Sequence, residues 1–319
     1  MAGIHGILLL DKPLGLSSNQ ALARAKRLLG ADKAGHTGAL DPLATGMLPC
    51  CFGEATKIAG VLLGAHKAYR AQVALGATTT TGDREGAVER VRAVPALGAD
   101  ALAAVLAGFR GRIRQRPPAY SALKKDGVPL YRLARRGEAV EAPEREVEIF
   151  SLAAHGAVAV APFEPPAGAV GRPPGADGLA WPGFEIDVTC GSGTYIRSLA
   201  ADIGEVLGCG AHLAGLRRPW VAPFEGAPLV SLEALEAARD AGRAGDCLLP
   251  VAAGLSGWRR IDVDAEAESR LRMGQVARID PATAPGPCRV HGPAAGLVAL
   301  AAVEADGVVR VSRVFAPGS

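Results

Sequence analysis

The sequence of 319 residues lacks the motifs that indicate a metal site or a dinucleotide cofactor. None of its six cysteines forms a Cys-x-x-Cys pair, and the adjacent Cys50 and Cys51 have a spacing unsuited to structural zinc. Cys209 and His212 form an isolated near pair, for which we expect packing rather than metal binding. No Gly-rich dinucleotide fingerprint occurs either. We therefore expect no metal and no cofactor.

Long hydrophobic runs and an N-terminal targeting signal are also missing. No apolar stretch is long enough to cross a lipid bilayer. The short apolar run at residues 7–10 has no basic region before it, so it lacks the pattern of a signal peptide. We expect no membrane association, and the default expectation from the cysteines is a reduced, cytoplasmic compartment.

Hydrophobic residues make up 49% of the chain and charged residues only 21%, which favours a packed core over wholesale disorder. The length suits one large domain plus a small one. The net charge of +3 permits a nucleic-acid partner without demonstrating one. A phosphate-binding surface would therefore require local clustering of basic residues.

Such clustering occurs between residues 110 and 136, where basic residues are dense and two tyrosines are interleaved with them. The set comprises Arg110, Arg112, Arg114, Arg116, Lys124, Lys125, Arg132, Arg135 and Arg136, with Tyr120 and Tyr131. Basic side chains combined with aromatic rings are what an RNA-binding surface needs. The alternative is a solvated charged face whose field is diluted by neighbouring glutamates.

Hydrophobic periodicity predicts strands and helices in the same chain. A short buried strand is predicted at residues 7–10. Either Ser17 or Ser18 is a good N-cap for a helix that ends near Gly30. A further helix is predicted at residues 101–106.

Strict alternation of apolar and polar residues predicts half-buried strands at 68–75 and 184–190. Tyr69 lies on the apolar face of the first strand, so from the pattern alone it is a core tyrosine. A turn after the second strand leads into a helix, and Tyr195 and Arg197 lie off the apolar stripe at its start. A strand–turn–helix junction is rigid yet open, which suits site residues.

One stretch, residues 35–49, is too rich in glycine and proline for an ordinary helix or strand. Its sequence is Gly-His-Thr-Gly-Ala-Leu-Asp-Pro-Leu-Ala-Thr-Gly-Met-Leu-Pro. Asp41 precedes a proline, which biases its backbone to an extended conformation. We predict a defined loop that presents the carboxylate of Asp41 and the imidazole of His36. The alternative is a surface turn, because Asp-Pro and Thr-Gly are common turn pairs.

Residues 35–46 of this stretch resemble the catalytic loop of the bacterial tRNA pseudouridine-55 synthases, the TruB family. Further segments resemble other motifs of that family, in the same order along the chain. They are Leu-Asp-Lys-Pro-Leu-Gly-Leu-Ser-Ser at 10–18, Lys-Ala-Tyr-Arg at 67–70, Gln-Arg-Pro-Pro-Ala-Tyr-Ser-Ala-Leu-Lys-Lys at 115–125, Gly-x-Pro-Leu-Tyr-x-x-Ala-Arg at 127–135, Cys-Gly-Ser-Gly-Thr-Tyr-Ile-Arg-Ser-Leu at 190–199, Gly-Cys-Gly-Ala-His-Leu at 208–213 and Leu-Arg-Arg at 216–218.

A shorter resemblance occurs near the C-terminus, where short strands and turns are predicted from about residue 258 to 315. Leu271-Arg272-Met273-Gly274-Gln275 resembles the helix-to-strand turn of a PUA domain, a small β-barrel found in RNA-modifying proteins. The alternative is a C-terminal β-cap with no role in RNA binding.

The resemblance implies an α+β fold with a mixed, mainly antiparallel sheet and flanking helices, the pseudouridine synthase fold, plus a small C-terminal β-barrel. The implied catalytic domain spans residues 1–250, and a PUA-like RNA-binding domain spans 251–319. A Pro/Gly-rich segment at about 161–183 departs from the compact family pattern. We interpret that segment as a loop insertion with no assigned function.

The resemblance also implies roles for individual residues. Asp41 is implied to be the catalytic carboxylate. Tyr69 is implied to stack on a flipped-out base, His36 to occupy or contact the space which that base leaves, and Leu216 to close the base pocket. The complete implied substrate-binding set is Lys12, His36, Tyr69, Tyr195, Arg197 and Leu216.

Ordinary alternatives remain open for three of these features. Lys12 could be a solvated surface lysine, and Arg197 could be a surface arginine paired with Asp202 or Glu205. The polar loop at 78–86, which contains four threonines beside Arg84, could bind phosphates or simply be solvated.

The implied function is isomerisation of uridine to pseudouridine at position 55, in the T-loop of tRNA, by a monomer that contacts the T-loop and its stem. An ionised carboxylate suits this reaction, and a nearby guanidinium such as that of Arg197 would lower the pKa of the carboxyl group. Two alternatives are a non-catalytic RNA-binding or RNA-folding protein and a carboxylate-based nucleoside hydrolase. The hydrolase should cleave free uridine, whereas the isomerase should need a folded RNA hairpin.

Overall fold

The structure is a computed structural model that describes residues 3–121, 123–125, 127–136, 138, 142–155, 182–280, 282–294 and 296–316. The chain forms two compact units. The first comprises Met1–Pro42, Gly46–Leu63 and Val221–Ser319, and the second comprises Leu43–Thr45 and Gly64–Trp220. The predicted insertion at 161–183 lies outside the described residues except for its last two.

The N-terminal part of the chain contains three strands, two α-helices and a 3-10 helix. They are β1 (Gly6–Lys12), α1 (Ser18–Leu29), β2 (Ala34–His36), β3 (Ala44–Phe52), a 3-10 helix (Gly53–Ile58) and α2 (Ala59–Leu63). β1 and β2 each pair antiparallel with β3. The apolar face of α1 packs against the buried leucines of β1 in one hydrophobic core.

The predicted buried strand and capped helix are both confirmed. Ser17 is the N-cap of α1, and a capping box joins it to Gln20, whose side chain accepts a hydrogen bond from the Ser17 backbone. Gly30 ends the helix in the left-handed conformation, with φ of 63°.

The second unit contains most of the remaining strands. Its elements are β4 (Lys67–Leu75), β5 (Ala77–Thr79), β6 (Val88–Val91), α3 (Ala99–Ala107), β7 (Gly111–Gln115), β8 (Lys124–Lys125), β9 (Val128–Pro129), α4 (Leu130–Arg135), β10 (Arg145–Ala154), β11 (Gly183–Cys190), α5 (Ile196–Val206) and β12 (Ala211–Val221). Five of these strands lie side by side in the order β12, β4, β11, β10, β7. The pairs β4–β11, β11–β10 and β10–β7 are antiparallel.

The predicted alternation in this unit is confirmed. In β4, Tyr69, Ala71 and Val73 are buried while Arg70 is exposed. In β11, the buried face includes Phe184 and carries the other predicted apolar residues. The helix predicted at 101–106 is the centre of α3.

The C-terminal part of the first unit carries a separate sheet. Its elements are α6 (Leu232–Asp240), 3-10 helices at Ala244–Cys247 and Val251–Leu255, β13 (Arg260–Asp262), α7 (Ala265–Arg272), β14 (Ala277–Arg278), β15 (Gly286–Gly292), β16 (Gly296–Val303) and β17 (Val308–Val314). The sheet order is β13-β15-β16-β17-β14, and it curls into a half-barrel over its own apolar core.

This architecture confirms the predicted α+β class with mainly antiparallel strands. The helix-to-strand turn predicted at Leu271–Gln275 is present, because α7 ends at Arg272 and Gly274 has φ of 74° before β14 begins. The predicted domain boundary at residue 250 stays a prediction. Among the described residues, no helix combines the length and hydropathy needed to cross a bilayer.

Candidate active site

Asp41 lies in the loop between β2 and β3, as predicted, and its side chain is half-buried. His36 ends β2 directly before this loop and is also half-buried. Gly38 and Gly46 have φ of 83° and 102°, so the path of the backbone depends on residues without a Cβ. The prediction of a loop at 35–49 is wrong at both ends, because β2 extends to His36 and β3 begins at Ala44.

Hydrogen bonds hold the backbone on both sides of Asp41. The hydroxyl of Ser18 accepts from the Leu40 amide at 2.7 Å and donates to the Leu40 carbonyl at 3.0 Å. The Gly15 amide donates to the carbonyl of Pro42 at 2.8 Å. Together these bonds form a clamp, defined by Gly15 and Ser18, that positions the peptide units flanking Asp41.

Lys12 stabilises the segment that carries this clamp. Its side chain is fully buried, and its ammonium donates to the carbonyls of Pro13 at 2.9 Å and Leu16 at 2.6 Å. These carbonyls replace water around the charge. The alternative of a solvated surface lysine is therefore wrong. A direct role of Lys12 in RNA binding stays a prediction.

Arg197 is the second residue of α5, and its side chain is only 6% exposed. The guanidinium donates to the Thr81 carbonyl at 2.9 Å and to the Tyr120 carbonyl at 2.8 Å. It also forms an ion pair with Asp83, at 3.4 Å from Nη1 to Oδ2, and the Asp83 side chain is 4% exposed. Arg197 is thus held by a buried charge and two backbone carbonyls.

The alternative of a surface arginine paired with Asp202 or Glu205 is wrong. Glu205 instead forms an ion pair with Arg92. Burial, and then the charge of Glu205, raises the pKa of Asp202 to about 6. That direction is opposite to the one which an arginine partner would produce.

Asp83 was not singled out by the sequence, although it lies in the polar loop at 78–86. Its carboxylate accepts from the Thr81 hydroxyl at 2.5 Å and from the Glu85 amide at 3.0 Å. The Thr79 hydroxyl is buried and donates to the Asp83 carbonyl at 2.7 Å. The alternative of a simply solvated loop is therefore wrong at these positions. The sequence did contain a signal for this arrangement. Thr-Gly-Asp is a turn sequence, and Thr and Asp side chains in turns form hydrogen bonds with nearby backbone groups.

The three remaining predicted residues occupy separate strands or turns of the second unit. Tyr69 is buried in β4, opposite Val188 of β11. Tyr195 is half-buried and forms the N-cap position of α5, directly before Arg197. Leu216 is half-buried within β12. Of the predicted set, the structure places Tyr195 and Arg197 on one turn and Lys12 beside the clamp at Asp41.

Two buried cations of the second unit were missed as well. Lys67 is 6% exposed and donates to the Ala65 carbonyl at 2.6 Å, while Arg218 is 1% exposed. Burial, and then the charge of Arg218, lowers the pKa of Lys67 to about 8. Their charges alone would have predicted solvent exposure, which is what Arg217 shows.

The charge of the basic segment at 110–136 is partly neutralised in the structure. This agrees with the alternative in which neighbouring glutamates dilute its field. Three arginines pair with glutamates that are near in space. The pairs are Arg112 with Glu146, Arg116 with Glu144, and Arg136 with Glu138. The side chains in these pairs are at least half exposed, so each pair contributes little to stability.

Comparison with known proteins shows where this chain belongs. Residues 26–196 match the N-terminal domain of the TruB family pseudouridylate synthases, and residues 197–256 match the tRNA pseudouridylate synthase B C-terminal domain. The chain is 54% identical to tRNA pseudouridine synthase B of Xanthomonas euvesicatoria, over 98% of this chain and 94% of the relative. This chain belongs to the TruB family of pseudouridylate synthases. A second TruB relative, tRNA pseudouridine synthase B of Cupriavidus metallidurans, is 49% identical over 97% of this chain and 94% of its own.

Solved structures agree with the TruB fold. A Cbf5–Nop10–Gar1 complex aligns with a TM-score of 0.69 at 24% identity, covering 98% of this chain and 85% of the other. An H/ACA ribonucleoprotein bound to a substrate RNA containing 2′-deoxyuridine aligns with a TM-score of 0.68 at 23% identity, with the same coverage. These similarities confirm the predicted pseudouridine synthase fold. The matched C-terminal domain ends at residue 256, so the PUA-like assignment beyond it stays a prediction.

Proposed function

We propose that this TruB protein converts uridine to pseudouridine at position 55 in the T-loop of tRNA, as a monomer that binds the loop and its stem. The observation that carries the proposal is the clamp of Gly15 and Ser18 around Asp41, in a loop whose sequence resembles the catalytic loop of the family. Relatives named tRNA pseudouridine synthase B support tRNA as the substrate class.

The reaction breaks the bond between ribose C1′ and uracil N1 and forms a bond between C1′ and C5. The C5 proton leaves and N1 gains a proton, so atoms and electrons balance without a redox cofactor. An ionised Asp41 supplies the anion that such a step needs, either as a nucleophile or beside an oxocarbenium-like sugar. Its clamped backbone lets the carboxylate be placed before the substrate arrives, which lowers the entropic cost of the reaction.

The remaining roles follow the family resemblance. A stacked uridine must leave the helix stack, at a cost of a few kcal/mol. We assign Tyr69 to stacking on the extruded base, His36 to the vacated space and Leu216 to closing the base pocket. Arg197, Tyr195 and Lys12 complete the proposed substrate-binding set.

Release of tritium from uridine labelled at C5 tests the proposal directly, with the label at position 55 of a T-loop hairpin. We expect the wild-type protein to release tritium and Asp41→Asn to be slower by at least about 10³-fold, because the amide cannot supply the anion. RNA affinity and the unfolding midpoint of the variant should stay close to wild type. Asp240→Asn, an exchange at an exposed aspartate of the same unit, is the matched control.

The other outcomes identify the competing functions. Binding of the folded hairpin by wild-type protein without tritium release would contradict the proposal and favour an RNA-binding module. Release of free uracil from uridine would instead identify a nucleoside hydrolase. Release from a labelled uridine elsewhere in the hairpin, but not from position 55, would contradict the assigned site.

A further inference from the structure

The Gln115 side chain forms hydrogen bonds with both the N–H and the C=O of Tyr195. Gln115 is the last residue of β7 and is only 1% exposed. Its amide oxygen accepts from the Tyr195 N–H at 3.1 Å, and its amide nitrogen donates to the Tyr195 carbonyl at 3.3 Å. A primary amide carries an acceptor oxygen and a donor nitrogen side by side, so it can bond the N–H and the C=O of one residue with two different atoms.

One of these two bonds supplies a partner for a backbone amide at the start of α5. Tyr195 is at the N-cap position of α5, yet its side chain makes no capping hydrogen bond. The first amides of a helix need partners that the helix itself does not supply. Gln115 satisfies the Tyr195 amide from another strand, so the start of α5 is positioned by tertiary structure instead of by a local cap.

Two further bonds join the segment after Gln115 to the same turn of α5. The Ser198 hydroxyl donates to the Arg116 carbonyl at 2.8 Å, and the Arg197 guanidinium donates to the Tyr120 carbonyl at 2.8 Å. The segment 115–120 and the turn 195–198 are thus fastened at three successive points. At the first of these points, the buried Gln115 side chain makes two hydrogen bonds.

The ring of Tyr195 is also held from one side. The guanidinium carbon of Arg145 lies 5.9 Å from the ring centroid, within the range of a cation–π contact. A fixed backbone and a ring contacted on one side leave Tyr195 with little freedom to reorient.

We propose that Gln115 is a positioning residue for substrate binding: its amide sets the Tyr195 backbone, and thereby the directions of the Tyr195 ring and the Arg197 guanidinium. This inference rests on the proposed function, because it takes Tyr195 and Arg197 as substrate-binding residues. Gln115 is buried and acts through Tyr195, without touching RNA or the reacting atoms.

Two substitutions at Gln115 separate positioning from simple loss of structure. Gln115→Met keeps the length of the side chain and removes both hydrogen bonds. Gln115→Glu keeps the acceptor for the Tyr195 amide, but at neutral pH it sets an anion against the Tyr195 carbonyl. Protonation restores a donor to that carbonyl, so lowering the pH should rescue this variant alone.

We expect Gln115→Met to lower kcat/KM for tritium release by about 10- to 100-fold, the range that small misplacements of binding groups produce. At neutral pH, the ratio of Gln115→Glu activity to wild-type activity should be similarly low. It should rise at least about fivefold as the pH falls through the pKa of the introduced carboxyl group, which burial raises above the ordinary value of about 4.3. Taking the ratio at each pH removes the pH dependence that both proteins share. Ile186→Val, which trims a buried side chain of β11, is the control for general loosening.

The proposal is wrong if Gln115→Met loses no more activity per folded molecule than Ile186→Val, or if the Gln115→Glu ratio stays flat with pH. Failure of the wild-type protein to release tritium would instead contradict the proposed function and say nothing specific about Gln115. The two failures are therefore distinguishable in one set of assays.

Discussion

The Asp41 loop differs from the Arg197 cluster, which consists of Arg197, Asp83 and the carbonyls of Thr81 and Tyr120, in the groups that its hydrogen bonds hold. At Asp41, neutral hydrogen bonds hold the neighbouring peptide units, while the carboxylate side chain is half-buried. At Arg197, the charged side chain itself is buried and held by Asp83 and two carbonyls. The bonds described at Asp41 act on the backbone, and those described at Arg197 act on the charged side chain.

The difference suits the proposed roles of the two residues. A reacting carboxylate must change its own interactions during catalysis, and a rigid backbone on both sides helps to place it throughout. A positioning guanidinium has no such requirement and tolerates a permanent partner. The energetic consequences differ too, because loss of the clamp removes ordinary hydrogen bonds whereas loss of Asp83 leaves a buried cation short of its counter-charge.

The largest stability effect is expected at the buried pair. Asp83→Ala should lower the free energy of unfolding by about 3–5 kcal/mol, because it strips a counter-charge from the buried Arg197. Asp187→Ala, which breaks the exposed pair with Arg70, should cost less than about 1 kcal/mol. Urea denaturation of both variants measures the comparison. Equal losses would show that burial does not govern the Arg197 cluster.

A smaller effect in stability, but a clear one in activity, is expected at the clamp. Ser18→Ala removes both bonds to Leu40 and should cost about 1–3 kcal/mol. It should also slow tritium release per folded molecule by about tenfold or more, because the backbone at Asp41 loosens. Kinetics at saturating hairpin, corrected for the folded fraction, give this number.

The adjacent serine is the matched control for that measurement. Ser17→Ala removes the N-cap of α1 and should cost about 1 kcal/mol without touching the clamp. Its activity per folded molecule should equal that of wild type. If Ser17→Ala and Ser18→Ala slowed the reaction equally, the clamp would be no more than part of the helix start.

The smallest effect concerns the buried Lys67. Its pKa is about 8 in the folded protein and 10.5 ordinarily, so the unfolded chain binds more protons above pH 8. Stability should therefore rise with pH in this window, by about 1 kcal/mol between pH 7.5 and 9 relative to Lys67→Met. Denaturation of both proteins across that range measures the difference. The quantity to follow is the unfolding free energy of wild type minus that of Lys67→Met. If this quantity is constant with pH, or falls as the pH rises, the lowered pKa is contradicted.

Local pattern was sufficient for several elements and for the centre of the Asp41 loop. The helix from Ser18 to Leu29 carries its own cap and its own left-handed stop, and the strands that carry Tyr69 and Phe184 alternate in the sequence itself. The loop was predictable because glycine allows backbone angles that other residues avoid, and proline restricts the backbone of the residue before it. Family resemblance then supplied the chemistry that periodicity alone could not.

Partner choice was not predictable, because it depends on residues far apart in the chain. Arg197 was offered Asp202 and Glu205 by sequence proximity, yet its buried partner is Asp83. The bonds of Lys12 and Gln115 likewise became visible only in the structure, since a charge or an amide removed from water must find its bonds wherever the fold provides them. Sequence alone determined the family, several elements and the proposed carboxylate. Tertiary structure decided which polar groups are buried and what holds each of them.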